Sequence, residues 1–423
     1  MSPLDDASSS MTGLRFHILN LGCKVNRVES DSFAAGLQKA GGLAVPLPQA
    51  DVVVVNTCTV TGEAEKKTRK AVRRALRANS LAQVVVTGCA VAIDPGFYQD
   101  LSPRVRVVPK GMMAAYISGL DVSKPDVSAP GISDPDASAF AMISSDRVGE
   151  GFRTRVGVKV QDGCDNACTY CIVHIARGPA VSRPHQEICD EVSALAAQGV
   201  KEVVLTGINL GSYRDGSLTF AGLVEMLLDL MPPTTRIRVG SVEPGDVDQD
   251  LIRLFATRWP QLCRHMHLPL QSGSDGILAQ MNRPYSAAAF LALVESLYEQ
   301  VPAMSLTTDV IVGFPGETSQ DFQQTLEACR QCRFSKIHVF PYSKREGTPA
   351  ALRSDQVDDQ VKASRCAQLE ELSAQLRAAD LAARRGSTEL VLVEDGGQAT
   401  TESYHSVAAP PGACNGDLVP VVL

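Results

Sequence analysis

The sequence predicts an α/β protein in three parts: an N-terminal open α/β (Rossmann-like) domain, a central partial TIM-type (β/α)6 barrel and a short C-terminal β module. Three observations lead to this prediction. First, three apolar, β-branched runs near the N-terminus each end in a cysteine and are followed by a helix-compatible stretch. Apolar runs that alternate with helices are typical of buried strands in a parallel sheet. Second, six further strand-like runs alternate with helical stretches. Third, short alternating strands around DGG, PPG and NGD turns close the chain.

The length and composition fit a globular protein of several domains. The 423 residues suffice for two or three domains, since a domain takes roughly 100 to 200 residues. Hydrophobic residues make up 44% and charged residues 21% of the chain. No apolar run approaches the roughly 20 residues of a membrane-spanning helix, which argues against a membrane protein. The serine-rich N-terminus lacks the pattern of a secretory signal, so we expect a cytoplasmic location.

The twelve cysteines are the most informative feature of the composition. Disulfides are not expected in a reducing compartment. Metal or cluster ligation is therefore the leading explanation, with buried packing residues as the alternative. The net charge of −7 and the isoelectric point near 5.6 give no global basic signature, so a nucleic-acid partner has to be held by local basic patches.

Changes in composition predict the domain boundaries. We expect residues 1–13 to form a disordered tail and residues 14–115 to form the N-terminal α/β domain. Residues 116–148 are rich in Ser, Pro, Asp and Gly and lose apolar periodicity, which indicates a linker. Residues 149–386 hold the barrel and one long helix, and residues 387–423 form the β module.

Three cysteines of the N-terminal domain occupy equivalent positions. Each ends a predicted strand, and ligands of open α/β sheets sit outside the carboxyl ends of the strands. We call Cys23, Cys58 and Cys89 the sheet cysteines and expect them to converge on one crevice. Three ligands suggest a cluster with a free coordination site, whereas the alternative is three buried thiols in a core. The strands are predicted at Arg15–Cys23, Asp51–Cys58 and Gln83–Cys89.

The predicted barrel carries polar or glycine-rich signatures at the carboxyl end of each strand, the face where barrel enzymes keep their chemistry. On one strand His265 and His267 alternate with apolar residues. This pattern places both inside the barrel or against substrate, without binding metal. The six strands are predicted at Val156–Asp162, Glu202–Gly207, Arg236–Glu243, His265–Gln271, Ser305–Phe314 and Lys336–Tyr342.

The sharpest signal is the run GCDNACTYC, directly after the first barrel strand. Its cysteines Cys164, Cys168 and Cys171, here called the loop cysteines, have the spacing CxxxCxxC. Three thiolates can bind three irons of a cubane cluster, whereas structural zinc and electron-transfer clusters normally take four protein ligands. The open iron can chelate S-adenosylmethionine, and an electron delivered through the cluster can cleave that cofactor to a 5'-deoxyadenosyl radical. Zinc binding or chance clustering is the alternative.

Nine motifs support a more specific interpretation: LGCKVNRVES, VVNTCTVTGEAEKKTRKAVRRA, VVVTGCA, VQDGCDNACTYCIVHIARG, TGINLGSY, SVEP, HMHLPLQSGSD, TDVIVGFPGET and HVFPYSKREGTPA. Together they resemble the methylthiotransferase family of radical S-adenosylmethionine enzymes, most closely its MtaB-type branch. Members of that branch convert N6-threonylcarbamoyladenosine, next to the tRNA anticodon, to its 2-methylthio derivative. The resemblance covers nearly all of the chain outside the tail, the linker and the last few dozen residues.

The resemblance implies two 4Fe-4S clusters and S-adenosylmethionine as cofactors. The loop cysteines would hold the radical-generating cluster. The sheet cysteines would hold an auxiliary cluster whose open iron carries the sulfur to be inserted. S-adenosylmethionine would act both as methyl donor and as radical source, and the radical would take hydrogen from adenine carbon 2. The implied partners are tRNA, a low-potential electron donor such as flavodoxin or ferredoxin, and a sulfur donor.

The same resemblance places five residues around S-adenosylmethionine. Tyr170 matches the aromatic residue that usually precedes the third loop cysteine. Gly207 in TGINLG would let its backbone approach the amino group, Glu243 in SVEP would bind a ribose hydroxyl, and Gly313 in GFPG would form a wall near the adenine. Gln271 in QSGSD is similarly placed. The alternatives are tight-turn glycines and surface polar residues.

The helix after the second sheet cysteine is basic. Four of its cations share one face at 3.6 residues per turn and predict a ridge that binds RNA phosphates, with a solvated helix face as the alternative. They are Lys66, Lys70, Arg73 and Arg77. Arg177, after the loop cysteines, is a further RNA-binding candidate that would bridge a carboxylate or a phosphate. The C-terminal β module resembles the TRAM module, a small β-barrel that grips tRNA in this family.

Other interpretations stay open from sequence alone. Within the family, the target is alternatively isopentenyladenosine in tRNA or an aspartate of a ribosomal protein. Outside it, a non-enzymatic iron-sulfur protein that binds RNA or carries electrons is the competing class, which ligation of each cluster by four protein groups would favour. Cys329 and Cys332 form a CxxC that is either redox-active or ordinary packing.

Overall fold

The structure, a computed structural model, describes residues 13–120 and 153–423. Most of the predicted tail and linker lies outside the described residues. The chain divides into two compact units, of which the first comprises Met1–Cys58 and Glu63–Ser144 and the second Thr59–Gly62 and Ser145–Leu423.

The first unit contains a five-stranded parallel sheet in the order β2-β1-β3-β4-β5. Its strands are β1 Arg15–Asn20, β2 Leu43–Ala44, β3 Val52–Thr57, β4 Gln83–Gly88 and β5 Val105–Val107. The helices of this unit are α1 Lys24–Lys39, α2 Gly62–Ala78, α3 Cys89–Ile93, α4 Pro95–Gln99 and α5 Met113–Ser118. The prediction of an open parallel α/β sheet is therefore confirmed. The structure adds the two short edge strands, β2 and β5, and α5 runs three residues beyond the expected boundary at residue 115.

The valines of β3 explain why the sheet is covered on both faces. Val52 and Val54 pack into one apolar core of the unit, whereas Val53 and Val55 pack into a second core. Successive side chains of a strand point to opposite faces, so an uninterrupted run of valines needs helices on both sides. This is the pattern of a parallel sheet buried between two layers.

The second unit contains the six predicted barrel strands, all parallel to their neighbours. They form the trios β12-β9-β6 and β13-β14-β15, which are joined by parallel bridges at Ile237–Leu262 and Ser241–His267. The partial (β/α)6 barrel is confirmed. The strands are β6 Val156–Lys159, β7 Gln161–Asp162, β8 Val181–Ser182, β9 Glu202–Thr206, β10 Arg214–Asp215, β11 Leu218–Thr219, β12 Arg236–Val239, β13 His265–His267, β14 Ser305–Val312 and β15 Lys336–Pro341.

Helices surround the barrel, and short polar residues fix where most of them begin. The helices are α6 Val173–Arg177, α7 His185–Ala197, α8 Phe220–Leu230, α9 Gln249–Thr257, α10 Asp275–Gln280, α11 Ala287–Gln300, α12 Ser319–Cys332 and α13 Asp359–Ala383. From α8 to α13, a Ser, Thr or Asp side chain before each helix accepts an N–H of the first turn, which satisfies a donor that has no partner within the helix. Within the described ranges, no helix combines the length and apolar character needed to cross a membrane.

The C-terminal module is a four-stranded antiparallel sheet in the order β18-β17-β16-β19. Its strands are β16 Thr388–Glu394, β17 Gln398–Thr401, β18 Ser406–Ala408 and β19 Leu418–Val422. The turn between β17 and β18 packs against the amino ends of the barrel strands. There Ser305 Oγ donates to Ser403 O at 2.8 Å, and the rings of His265 and Tyr404 stack with centroids 4.7 Å apart.

A buried charge cluster anchors this contact. Glu202, 0% exposed, accepts 2.7 Å hydrogen bonds from the Nε atoms of Arg236 and Arg238. The remaining guanidinium donors reach the module, where Arg238 Nη1 lies 2.7 Å from Glu402 O and Arg236 Nη1 lies 2.8 Å from Leu390 O. The module therefore closes the amino end of the barrel, opposite the end that carries the loop cysteines.

Candidate functional site

The loop cysteines lie after β7, at the carboxyl end of the first barrel strand. The backbone of the loop makes its own hydrogen bonds: the Cys164 N–H donates to Gly178 O at 3.1 Å, and the Cys171 N–H donates to Cys168 O at 3.0 Å. A further N–H, from Val173, points at the Cys171 sulfur at 3.4 Å. The sulfur of Cys171 thus already accepts from the backbone, as cluster thiolates do.

Gly163 is the residue that lets this loop turn. Its φ of +70° lies in the left-handed region, and a Cβ there would lie 1.8 Å from the Pro179 carbonyl oxygen. Only glycine avoids both the backbone strain and the collision. The closeness of the two chain segments therefore depends on the absence of a side chain at residue 163.

The three loop thiols are close enough to influence one another. Cys168 is 5% exposed, and burial raises the pKa of Cys164 and raises the pKa of Cys171 to about 11, with neighbouring thiols adding to both shifts. Without a bound cation, burial therefore favours the protonated thiol form of Cys164 and of Cys171. A positively charged iron cluster would stabilise their thiolate forms, so this donor set fits a group held at three corners.

Arg283 links the loop to the rest of the site. No motif in the sequence had identified this residue as part of the site. Its side chain is 2% exposed and forms an ion pair with Glu243, and its Nη1 lies 3.3 Å from Cys168 Sγ. The guanidinium also lies over the Tyr285 ring, 4.9 Å from the centroid. Arg283 thus holds a sulfur and a carboxylate in fixed positions at one time.

Glu243, the predicted ribose-binding residue, lies in this network after β12. Burial raises its pKa above the ordinary value even though Arg283 opposes the shift. Its Oε2 atom accepts a hydrogen bond from Arg283 Nη2. The other carboxylate oxygen is the one that an incoming hydroxyl would use.

Two more predicted residues border a cavity beside the loop. Tyr170 and Gln271 line a space of about 160 Å³ together with Cys171, Asp309 and Tyr342. Gln271 has a positive φ of 63°, a conformation that costs energy for a residue with a side chain. The predicted pair and a loop cysteine therefore share one concave surface.

Gly207 and Gly313 end their strands in a different setting. A Cβ on Gly207 would lie 3.0 Å from Gln161 Oε1. The Gly313 N–H already donates to Glu317 Oε2 at 2.6 Å, and a Cβ there would lie 2.4 Å from the Lys362 side chain. The positive φ of 70° and the Lys362 contact favour glycine at residue 313 whether or not a cofactor lies beside it, whereas a Cβ at residue 207 would only press on its neighbours.

A cluster of two imidazoles and a carboxylate lies inside the barrel. The donor atoms of His267, Asp309 and His338 are all within 4.8 Å of one another. His267 Nε2 is 3.3 Å from Asp309 Oδ1, and its Nδ1 is 3.0 Å from Thr307 Oγ1. Asp309 of β14 belongs to the cavity lining. His265, which shares β13 with His267, instead stacks on Tyr404 of the C-terminal module.

The sheet cysteines follow three adjacent strands, β1, β3 and β4. Cys23 immediately precedes α1, Cys58 follows β3, and Cys89 begins α3. Cys58 and Cys89 are each 4% exposed, while Cys23 is exposed. A Cβ on Gly22 would lie 2.8 Å from Cys58 Sγ, so the segments that bear Cys23 and Cys58 meet. The arrangement fits a cluster ligated from this edge of the sheet.

Asn26 ties the two segments together. This residue, 0% exposed, donates from Nδ2 to Leu21 O at 2.9 Å and to Thr57 O at 2.8 Å. Asn56 donates back to Asn26 O at 2.9 Å. Asn26 belongs to the motif LGCKVNRVES, from which no role for it was predicted. Its spacing three residues after Cys23 was the available signal.

The basic candidates separate into two groups. The four predicted cations of α2 are all exposed. Arg177 is not: its side chain is 1% exposed, and its Nη1 lies 2.8 Å from Asp162 Oδ1. The interpretation of Arg177 as an RNA-binding residue is therefore wrong, because a guanidinium buried against a carboxylate cannot reach a phosphate. The carboxylate bridge is the role that it has.

Comparison with known proteins covers both units. The protein-family model described as the radical SAM superfamily matches residues 158–329. The family model described as uncharacterized protein family UPF0004 matches residues 15–108. The chain resembles the solved radical S-adenosylmethionine methyltransferase TsrM from Kitasatospora setae, with a TM-score of 0.58, 16% identity and coverage of 81% of this chain and 77% of that chain. At this identity the likeness concerns the fold alone.

Curated relatives are much more similar in sequence. A threonylcarbamoyladenosine tRNA methylthiotransferase MtaB of Chlamydia pneumoniae is 38% identical and covers 90% of this chain and 86% of its own. One of Bacillus subtilis is 37% identical, with coverage of 86% and 81%. A tRNA-2-methylthio-N(6)-dimethylallyladenosine synthase of Desulfosudis oleivorans is also 37% identical, with coverage of 90% and 83%.

Proposed function

Because the chain belongs to the methylthiotransferase family of radical S-adenosylmethionine enzymes, we propose that it converts N6-threonylcarbamoyladenosine in tRNA to its 2-methylthio derivative. The observation that carries the proposal is the similarity, over most of both chains, to several proteins named for this reaction. We place the reaction in the cytoplasm, where a tRNA-modifying enzyme meets its substrate.

The radical SAM domain implies S-adenosylmethionine and one 4Fe-4S cluster as cofactors. We assign this cluster to the loop cysteines. Bound together, the pair supplies the one-electron chemistry needed to remove hydrogen from an unactivated carbon. Arg283 holds Cys168 and Glu243 in place, and the other carboxylate oxygen of Glu243 would accept a hydrogen bond from a ribose hydroxyl of the cofactor.

The remaining predicted residues shape the space for the reactants. Tyr170 and Gln271 border the cavity next to Cys171, so they orient whatever is bound there and exclude water from it. Asp309 and His267 present a carboxylate and an imidazole to the same region, where they can hydrogen-bond to an adenine edge. For Gly207 we keep the expected place beside the amino group of S-adenosylmethionine, and for Gly313 the expected place near its adenine.

We further propose that the sheet cysteines hold a second 4Fe-4S cluster that serves the sulfur insertion. The meeting of the segments bearing Cys23 and Cys58, fixed by Asn26, supports a shared ligand site. An electron donor of low potential and a source of sulfur are then needed as partners.

The cluster assignment is tested by counting iron in variants reconstituted without oxygen. We expect about eight irons per wild-type chain and about four in both Cys58→Ala and Cys168→Ala. Cys414→Ala, which removes an exposed thiol outside both sets, should retain about eight. Of the two variants that lose a cluster, only Cys58→Ala should still cleave S-adenosylmethionine to 5'-deoxyadenosine, as wild type and Cys414→Ala do. Full iron content in Cys58→Ala would remove the second cluster from the proposal.

The reaction itself is tested with two tRNA substrates. Reduced wild-type protein is given tRNA that carries either N6-threonylcarbamoyladenosine or N6-isopentenyladenosine, and nucleosides are identified by mass spectrometry. We expect the 2-methylthio product from the first tRNA. Product from the second alone would favour the reaction named for the Desulfosudis oleivorans relative. Absence of 5'-deoxyadenosine in every arm would contradict any radical S-adenosylmethionine activity.

A further inference from the structure

The solvent face of α2 is a strongly basic surface outside the site. This 17-residue helix carries seven cations and two carboxylates, in a chain whose net charge is −7. Six of the cations are exposed, and among the described residues none of these six forms an ion pair. They are Lys66, Lys67, Lys70, Arg73, Arg74 and Arg77. The seventh, Arg69, pairs with Glu65 and lies over the Phe97 ring.

The spacing of these cations does not stabilise the helix. Like charges four residues apart repel and destabilise a helix, and both Lys66–Lys70 and Arg73–Arg77 have that spacing. An ordinary solvated helix face alternates cations with carboxylates instead. The cost of the repulsion points to a partner that supplies negative charge.

The helix is a rigid platform. On its inner face Thr68, Val72 and Ala75 are all 0% exposed, and the latter two pack into the apolar core that includes Val53 and Val55 of β3. At about 1.5 Å per residue, the row from Lys66 to Arg77 extends over roughly 16 Å. That length spans several phosphates of a nucleic-acid strand.

The inner face also connects α2 to a sheet cysteine. Thr68 Oγ1 donates to Cys58 O at 3.1 Å, and the Cys58 N–H donates to Thr68 Oγ1 at 3.4 Å. The hydrogen bonds of Thr68 therefore fix the position of α2, and of any polyanion bound to its outer face, relative to the segment that bears Cys58.

We propose that the outer face of α2 is a docking surface for the sugar-phosphate backbone of tRNA. The inference rests on the proposed function, which makes tRNA the substrate. An anionic membrane is the less suitable partner, since a helix that binds in a lipid interface buries an apolar face in the acyl region, and the apolar face of α2 is already covered by the sheet. Phosphates need only the exposed cations.

The test compares two quadruple variants of the holoenzyme in binding to fluorescently labelled tRNA over a range of salt concentrations. The first is K66A/K70A/R73A/R77A. The second, a matched control with two lysines and two arginines at exposed positions elsewhere, is K39A/R330A/K336A/R385A. Alanine has the highest helix propensity, so α2 should persist, and equal iron content and far-ultraviolet circular dichroism verify that both variants fold.

We expect the α2 variant to bind tRNA at least tenfold more weakly near physiological salt. The slope of log affinity against log salt should become shallower by about 3 to 4, if each cation neutralises one phosphate. The control should stay close to wild type. Equal affinities and slopes for the two variants would overturn the proposal even if wild-type protein still makes the methylthio product.

Two further outcomes separate the alternatives. If wild-type protein binds phosphatidylserine vesicles and the α2 variant loses this binding while keeping its tRNA affinity, the surface is a membrane contact and the proposal is wrong. If wild-type protein neither binds nor modifies tRNA, the proposed function fails first and the docking surface fails with it.

Discussion

Replacing Glu202 by glutamine should loosen the base of the barrel more than any exposed charge change. Glu202 is 0% exposed and accepts from Arg236 Nε and Arg238 Nε, each at 2.7 Å, and from Arg238 Nη2 at 3.2 Å. Removing its charge leaves two buried guanidinium groups without a counter-ion. Breaking a buried pair in this way costs about 3 to 5 kcal/mol.

The assay is urea unfolding followed by the fluorescence of Trp259, the one tryptophan of the sequence. This residue reports on the docked C-terminal module, because its Nε1 donates to Glu402 Oε2 at 2.8 Å. With a slope of about 3 kcal/mol per molar urea, the midpoint should fall by about 1 to 2 M. Glu225→Gln is the control: Glu225 pairs with Arg253 at an exposed site, where the loss is about 0 to 1 kcal/mol.

The same substitution makes a prediction about pH. Burial alone raises the pKa of Glu202, but Arg238 and Arg236 outweigh it and hold the pKa well below its usual range. The pairing therefore stabilises the fold above the unfolded-state pKa of about 4.3 and is lost progressively as the pH falls below that value. The stability gap between wild type and Glu202→Gln should shrink between about pH 5 and pH 3. A gap under about 1 kcal/mol at pH 7 would refute the reasoning.

Three further substitutions test the site. Gly163→Ala should abolish loading of the loop cysteines, because its Cβ would collide with a carbonyl oxygen, whereas Gly245→Ala, at a glycine with open space around it, should retain full iron content. Thr68→Val should destabilise the first unit by about 1 to 2 kcal/mol and lower iron bound near Cys58, while Thr68→Ser should behave as wild type in denaturation and iron analysis. Glu243→Gln should weaken equilibrium binding of S-adenosylmethionine roughly tenfold at unchanged iron content; unaltered affinity would remove its ribose-binding role.

The sequence was sufficient for the parallel strands of both units, because runs such as Val52 to Val55 admit few structures other than a strand buried on both faces. It also placed the cysteine sets after the carboxyl ends of strands: Cys58 and Cys89 directly follow β3 and β4, and the loop cysteines follow β7. The short edge strands β2 and β5 could not be predicted from the sequence. Two or three residues are too few to show the alternating hydrophobic pattern of a strand, and their pairing depends on the neighbouring strand.

Contacts between distant residues account for the remaining differences. Arg283 meets Cys168 across 115 positions of the chain, a separation that no local pattern reveals. Arg177 looked like a basic residue beside the loop cysteines, and only the fold shows that Asp162 buries it. Composition signals charge, but burial determines whether that charge can reach a ligand.

The closed base of the barrel limits how far the polypeptide can be shortened. A version ending at residue 386 would lose the carbonyl acceptors of Leu390 and Glu402 and uncover Arg236 and Arg238. It would also remove Tyr404, whose ring stacks on the ring of His265. The smallest stable fragment therefore has to keep these last strands.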